Sequence, residues 1–359
     1  MTVREWIRRH PFLSFYTLAV AFPIVLFAYL ALMQALQPDL YGPGVGLFEH
    51  FFGTLGTLVH EHPLFALHRD SVLVFLAAYT LVPLGAPFLF FPFAPTVSAL
   101  IVTGLARGAP AVRALLGAYA PLRGGLTWRD GARIYGLVLL TIAGLVALAY
   151  LLDGLVHGGD GQDAMRRTWG LTAMAPFMAG WGLALFTNQG GLLEELGWRG
   201  YAWPVLARVF RRPLVAALLL GIAWALWHFP REIAPLLSGA QSLQELAVTQ
   251  ALFIAACIGM TIVAVAFVNY SGGSVLPAIM LHGSFNYLYQ AYEGARKGVR
   301  IDVSWEPTVL WVVAAAVVVV VAGADLGWRR RMRIHGGDGR SDPSNLWAAA
   351  PDDCKEAKG

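Results

Sequence analysis

Charge is scarce in this sequence. Asp, Glu, Lys and Arg make up 13% of its 359 residues, and 57% are hydrophobic. Ordinary soluble domains carry about 25% charged residues, so that class is excluded. Cysteine is nearly absent. Cys257 lies in an apolar segment and Cys354 near the chain end, so they are unsuited to pairing, and no metal-type Cys spacing exists. The apolar runs do not alternate with polar residues, which excludes a β-barrel. Helices are left as the elements that satisfy their own backbone in lipid. No internal repeat is visible, which counts against a transporter built from inverted halves. The formal net charge of +4 comes from arginines at segment ends, where they set topology rather than bind nucleic acid. The first apolar run is too long for a signal-peptide core and lacks a small-residue cleavage site, so no cleavable signal is expected.

The expected fold class is therefore all-α, a polytopic transmembrane helical bundle of about 8–10 membrane segments. It implies a multi-pass integral protein of the cell membrane, with the lipid bilayer as its partner. Arg4, Arg8 and Arg9 precede an apolar run, Phe12–Leu36, and argue for a cytoplasmic N-terminus. The connector Gln37–Asp70 holds Glu49, His50, His60, Glu61, His62 and His68. Its HEHP is not H-E-x-x-H, because Leu64 stands at the second histidine position, and it reads as a solvated loop or short helix. Ser71–Leu105, interrupted by Pro83, Pro87, Pro92 and Pro95, is one kinked crossing or two short segments. Arg107–Arg133 is a basic connector. Ile134–Leu152 spans, Asp153–Arg167 reads as an external loop, and Gly170–Asn188 spans again before a break at Gln189–Gly191. Leu214–Trp227, Leu246–Val268, Val275–Tyr292 and Pro307–Ala324 are further helices. Arg329, Arg330, Arg331 and Arg333 favour a cytoplasmic C-terminal side. Three regions follow: N-terminal helices with the basic connector (1–160), a helical core with the last helix (161–330), and a disordered cytoplasmic tail (331–359).

Chemistry concentrates in Gly191–Leu206, GLLEELGWRGYAWPVL. Two carboxylates and an arginine follow a run, Thr168–Leu193, without one charged residue. Charges at membrane depth are costly and are usually kept for function. Glu195 and Arg199 are spaced i, i+4 and can pair on one face. Glu194 has no partner in its own helix, and an acid in an apolar pocket can exchange protons near neutral pH. Trp224 and His228 share the i, i+4 spacing, as do His282 and Asn286, each pair in a later apolar segment. The tight turn of Arg208, Arg211, Arg212 and Pro213 lies about 15 residues after Glu194 and 16 before His228. An antiparallel hairpin would thus bring both level, roughly 22–24 Å from the turn by helical rise. The sidedness of that turn decides which membrane face the site opens to.

In order along the chain, these residues form E-E-x-x-x-R, aromatic-x-x-x-H and H-x-x-x-N: Glu194, Glu195, Arg199; Trp224, His228; His282, Asn286. The pattern resembles that of the CPBP intramembrane proteases, which include type II CAAX prenyl endopeptidases and the bacterial Abi, or bacteriocin-immunity, proteins. The resemblance covers about Gly170–Tyr292. The family often has Phe where this chain has Trp224. The resemblance implies an intramembrane endopeptidase, with Glu194, His228, His282 and Asn286 catalytic and Glu195, Arg199 and Trp224 in support. Glu194 would serve as general base and Asn286 as oxyanion donor. His228 and His282 would orient the water, or bind a divalent metal such as zinc together with Glu194; both options stay open. The substrate would be a membrane-anchored peptide or protein, of prenylated CAAX type by the family's name. A non-catalytic immunity or chaperone-like membrane binding protein is the alternative.

Overall fold

Continuous apolar runs do fold as helices. The structure, a computed structural model, describes residues 1–169, 171–233, 236, 239, 241–295 and 305–335. Among the described residues no strand forms, and the single antiparallel bridge joins Ser71 to Asn188. The helices are α1 (Val3–Arg9), α2 (Pro11–Leu36), α3 (Leu47–Glu61), α4 (Pro63–Leu67), α5 (Val72–Leu81), α6 (Phe90–Arg107), α7 (Ala109–Leu116), α8 (Trp128–Trp169) and α9 (Leu171–Thr187). Then come α10 (Gln189–Glu195), α11 (Trp203–Phe210), α12 (Pro213–Trp227), α13 (Leu243–Tyr270), α14 (Leu276–Ala295), α15 (Glu306–Ala322) and α16 (Trp328–Ile334). Five stretches are long and apolar enough to cross a membrane: Pro11–Leu36, Pro83–Arg107, Trp128–Ala149, Pro213–Glu232 and Leu243–Tyr270. Three shorter apolar helices accompany them, Val72–Leu81, Ala175–Thr187 and Glu306–Ala322. The protein is an all-α polytopic membrane bundle.

Three local expectations are corrected, and the stretch 71–105, open between one kinked crossing and two short segments, is seen as two helices. Asp153–Arg167 is helix, not loop, and belongs to the 42-residue α8. Its glycines each cost about 1 kcal/mol in a helix, but no proline interrupts the run, and only proline carries the roughly 3 kcal/mol that would break it. The stretch 71–105 divides at Val82 into α5 and, after a 3₁₀ turn at Pro83–Leu89, α6. The break before the acidic helix falls at Asn188 rather than at Gln189–Gly191, which already form α10. The segment expected to be disordered from 331 begins inside α16, with Arg331 and His335 buried. His335 Nε2 bonds the Gly272 carbonyl at 2.9 Å. Residues 336–359 lie outside the described residues.

The bundle has two chemically distinct ends. At one end Arg4 and Arg8 both donate to the Ala106 carbonyl (3.2 and 3.1 Å), which ties α1 to the C-terminus of α6. Tyr201 donates to the Pro11 carbonyl (3.1 Å), and Arg123 to that of Gly273 (3.3 Å). The turn after α11 joins the end of α15 through Leu214 N–H and the Ala324 carbonyl (3.1 Å), and Arg208 lies over Trp328. The α4–α5 loop, the start of α10, the end of α12 and the starts of α13 and α15 meet at the opposite end. There Gln189 N–H donates to the Asp70 carbonyl (3.0 Å) and the Thr308 hydroxyl to that of Leu252 (3.0 Å).

Candidate active site

The acidic helix starts with a cap and continues with an irregularity. Asn188 supplies the cap, its Oδ1 accepting from Gly191 N–H at 3.0 Å, which satisfies one of the orphan donors of a first helical turn. After Glu195 the chain winds as a π-helix over Leu196–Ala202 before α11 begins. Such π-segments are uncommon and recur at functional sites. Here the segment holds Arg199, which is fully buried, as is Glu195; Glu194 is only 4% exposed.

The two acids have different environments. Glu195 Oε1 accepts from Arg199 NH1 (2.8 Å), as the spacing predicted, and from His282 Nδ1 (2.8 Å) on α14, which it did not. Arg199 also donates to the Thr261 hydroxyl (3.0 Å) and lies 4.3 Å over the Trp224 ring. Among the described residues Glu194 forms no ion pair; its Oε2 accepts from Trp224 Nε1 at 2.9 Å, across the predicted hairpin. That bond gives a physical role to the tryptophan where phenylalanine is common, because phenylalanine could fill the space but not donate.

Both histidines are oriented through Nδ1. In His228, Nδ1 lies 2.9 Å from the Trp224 carbonyl, and in His282 it faces the Glu195 carboxylate. Both partners are acceptors, so Nδ1 carries the proton in each ring and Nε2 is left for the cavity. The Asn286 Nδ2 donates to Asn188 Oδ1 at 3.0 Å, which leaves a second N–H on the same amide. Gly190 lies beneath both groups. A Cβ on it would stand 2.9 Å from His282 Nε2 and 3.0 Å from Asn286 Nδ2.

These groups converge. Glu194, Trp224, His228, His282 and Asn286 line one cavity of about 500 Å³. Asp70, Arg231 and Gln241 line it too, and of these three Arg231 is exposed. Burial raises the Asp70 carboxyl above its ordinary range, against the opposing pull of Arg69. Glu195 and Arg199 stand behind the cavity as supports. Sequence reasoning missed Asn188 and Gly190. The N-cap rule, an Asn directly before a helix, pointed to the first; nothing local marked the second. The metal option for Glu194, His228 and His282 finds no matching donor set. Among the described residues no group of three or more His, Cys, Asp or Glu side chains is arranged to hold a metal ion.

Comparison with known proteins falls on these same elements. Residues 176–288 match the family model of Rce1-like type II CAAX prenyl endopeptidases. The matched segment runs from α9 to α14 and contains every residue of the three motifs. A 37-residue stretch is 54% identical to CAAX prenyl protease 2 of Methanococcus maripaludis, covering 10% of this chain and 13% of that protein. The chain thus matches only a small part of that relative's length.

Proposed function

We propose that the chain is a membrane-embedded endopeptidase that hydrolyses a peptide bond of a membrane-anchored polypeptide. The observation that carries this reading is the convergence of one carboxylate, two imidazole Nε2 atoms and one amide on a single buried cavity. Peptide hydrolysis needs an activated water and a stabilised oxyanion. Glu194 Oε1 is left to take the water's proton and return it to the leaving amine. The water's other hydrogen is accepted by the Nε2 of one of the two histidines, His228 or His282, which orients it. Asn286, held by Asn188, directs its second N–H to the oxyanion. The Arg199–Glu195–His282 chain fixes the tautomer and angle of His282, as a carboxylate behind a catalytic histidine does.

The printed name of the relative suggests a prenylated CAAX-type substrate, and that class is the first to assay. The test uses purified protein in nanodiscs with lipidated peptides, comparing wild type and Glu194→Gln, with and without chelator, by mass spectrometry. The expected result is cleavage by the wild type and a loss of about 10²–10⁴ in rate in the variant, the usual contribution of a general base, with peptide binding retained. Near-equal cleavage by the two proteins refutes the role of Glu194. Tight partner binding without any proteolysis would favour the immunity or chaperone-like alternative.

A further inference from the structure

The fold gathers linkers that are far apart in sequence, and their charges sort by end. The segments 1–10, 107–133, 208–213 and 323–335 all meet at one end of the bundle and carry fifteen arginines against three acids, Glu5, Asp130 and Asp325. At the other end, the described segments 37–71, 228–233, 241–250 and 305–308 carry Arg69 and Arg231 against seven acids. Adding by sequence alone the C-terminal part of α8 (150–169) and residues 288–304 brings the tally set against the arginine end to seven Lys or Arg and twelve Asp or Glu. Lys and Arg in short loops are retained on the cytoplasmic side, and acids contribute little to that choice. A fifteen-to-seven division therefore orients the bundle with its arginine end in the cytoplasm.

The cavity belongs to the other end. Arg231, whose side chain is 43% exposed, lines the cavity just beyond the end of α12, and Asp70 and Gln241 lie with it. Glu194 is five residues past Gln189, whose N–H bonds the Asp70 carbonyl, about 7–8 Å by helical rise. The arginine turn at 211–212 lies one full helix away, since α12 runs 15 residues from Pro213 to Trp227, about 22 Å.

We infer that the cavity opens on the non-cytoplasmic face of the membrane, and that its substrate is a polypeptide anchored in the bilayer whose stem is presented from that face. The substrate part rests on the protease reading; the orientation does not. The test is therefore independent of activity. Single cysteines are placed at two exposed, uncharged positions, Gln244→Cys at the start of α13 and Trp128→Cys at the start of α8, with Cys257 and Cys354 replaced by alanine. Neither substitution removes an arginine. Spheroplasts of an expression host are treated with a membrane-impermeant maleimide, and inside-out vesicles are treated in parallel. The expected result is labelling at 244 in spheroplasts and at 128 only in inside-out vesicles. The mirror pattern, labelling of both positions from one side, or labelling of neither overturns the inference. Failure of the protease reading would appear only in the cleavage assay, with this labelling pattern unchanged.

Discussion

Gly190→Ala adds one methyl group where the site has no room for it. The new Cβ would meet His282 Nε2 at 2.9 Å, Asn286 Nδ2 at 3.0 Å and His282 Cε1 at 3.2 Å. Unstrained non-bonded contacts sit near 3.5–4.0 Å, so relief requires about 0.5–1 Å of movement. The neighbours are poorly placed to give way. His282 is held by Glu195 at 2.8 Å and Asn286 by Asn188 at 3.0 Å. Helix α14 already packs backbone to backbone on α9 and α10: a Cβ on Gly283 would overlap the Ala184 carbonyl, and one on Gly191 would stand 2.8 Å from that of Ile279. The displacement therefore falls on the reacting groups themselves. A misplacement of about 1 Å can cost about 10²-fold in rate, and overpacking typically costs about 1–3 kcal/mol of stability. The expected outcome is a folded protein with about 10²-fold lower kcat in the lipidated-peptide assay and a modest fall in Tm. Gly136→Ala is the control. It lies in α8 with open space around its Cβ position, where helix propensity favours alanine by about 1 kcal/mol. Near wild-type kcat in Gly190→Ala would refute the argument that this bare Cα sets the site's geometry.

Arg199→Ala strands a fully buried carboxylate, so it should cost roughly 3–5 kcal/mol; loss of the monodisperse peak in size-exclusion chromatography would show this, and normal yield and Tm would count against it. Trp224→Phe keeps the ring but removes the donor to Glu194 at 2.9 Å. Hydrogen bonds to charged groups are worth about 1.5–3 kcal/mol, so kcat should fall by about 10–100-fold in the same assay, with no further effect in a Glu194→Gln background. Asn188→Asp keeps both the helix cap and the acceptor for Asn286, and Asn188→Ser keeps only the cap. The aspartate should therefore retain kcat and the serine should lose it, and equal activity of the two would remove the positioning role.

The sequence made the reacting groups legible because a charge in an apolar run is conspicuous and because i, i+4 spacing reports one helical face. The Glu195–Arg199 pair and the levelling of Glu194 with His228 follow from local geometry alone. What was not legible depends on which helix lies beside which. No spacing within one segment relates His282 to Glu195, 87 residues earlier, and no local rule predicts that Trp224 donates to Glu194, 30 residues before it. The second half of α8 was misread because glycine and aspartate mark loops in most contexts, whereas a helix already started is extended cheaply. The value of Gly190 appears only when α14 is packed over it.

The supports of the site also come from outside the segment that resembles known proteins. Helix α2 holds α12 in place: Tyr16 donates to the Ala223 carbonyl (3.0 Å) and Trp227 Nε1 to that of Ala19 (2.9 Å), both just before His228. The α4–α5 loop pins the start of α10 through Asp70 and Ser71. Phe91 and Pro92 of α6 and Trp311 of α15 complete the cavity wall. Residues 176–288 thus contain the groups proposed to react, while residues before and after them shape the cavity. Relatives that share the reacting groups need not share those walls. The chemistry can therefore be proposed from the motif, but the substrate must be read from this chain's own cavity and from the membrane face on which it opens.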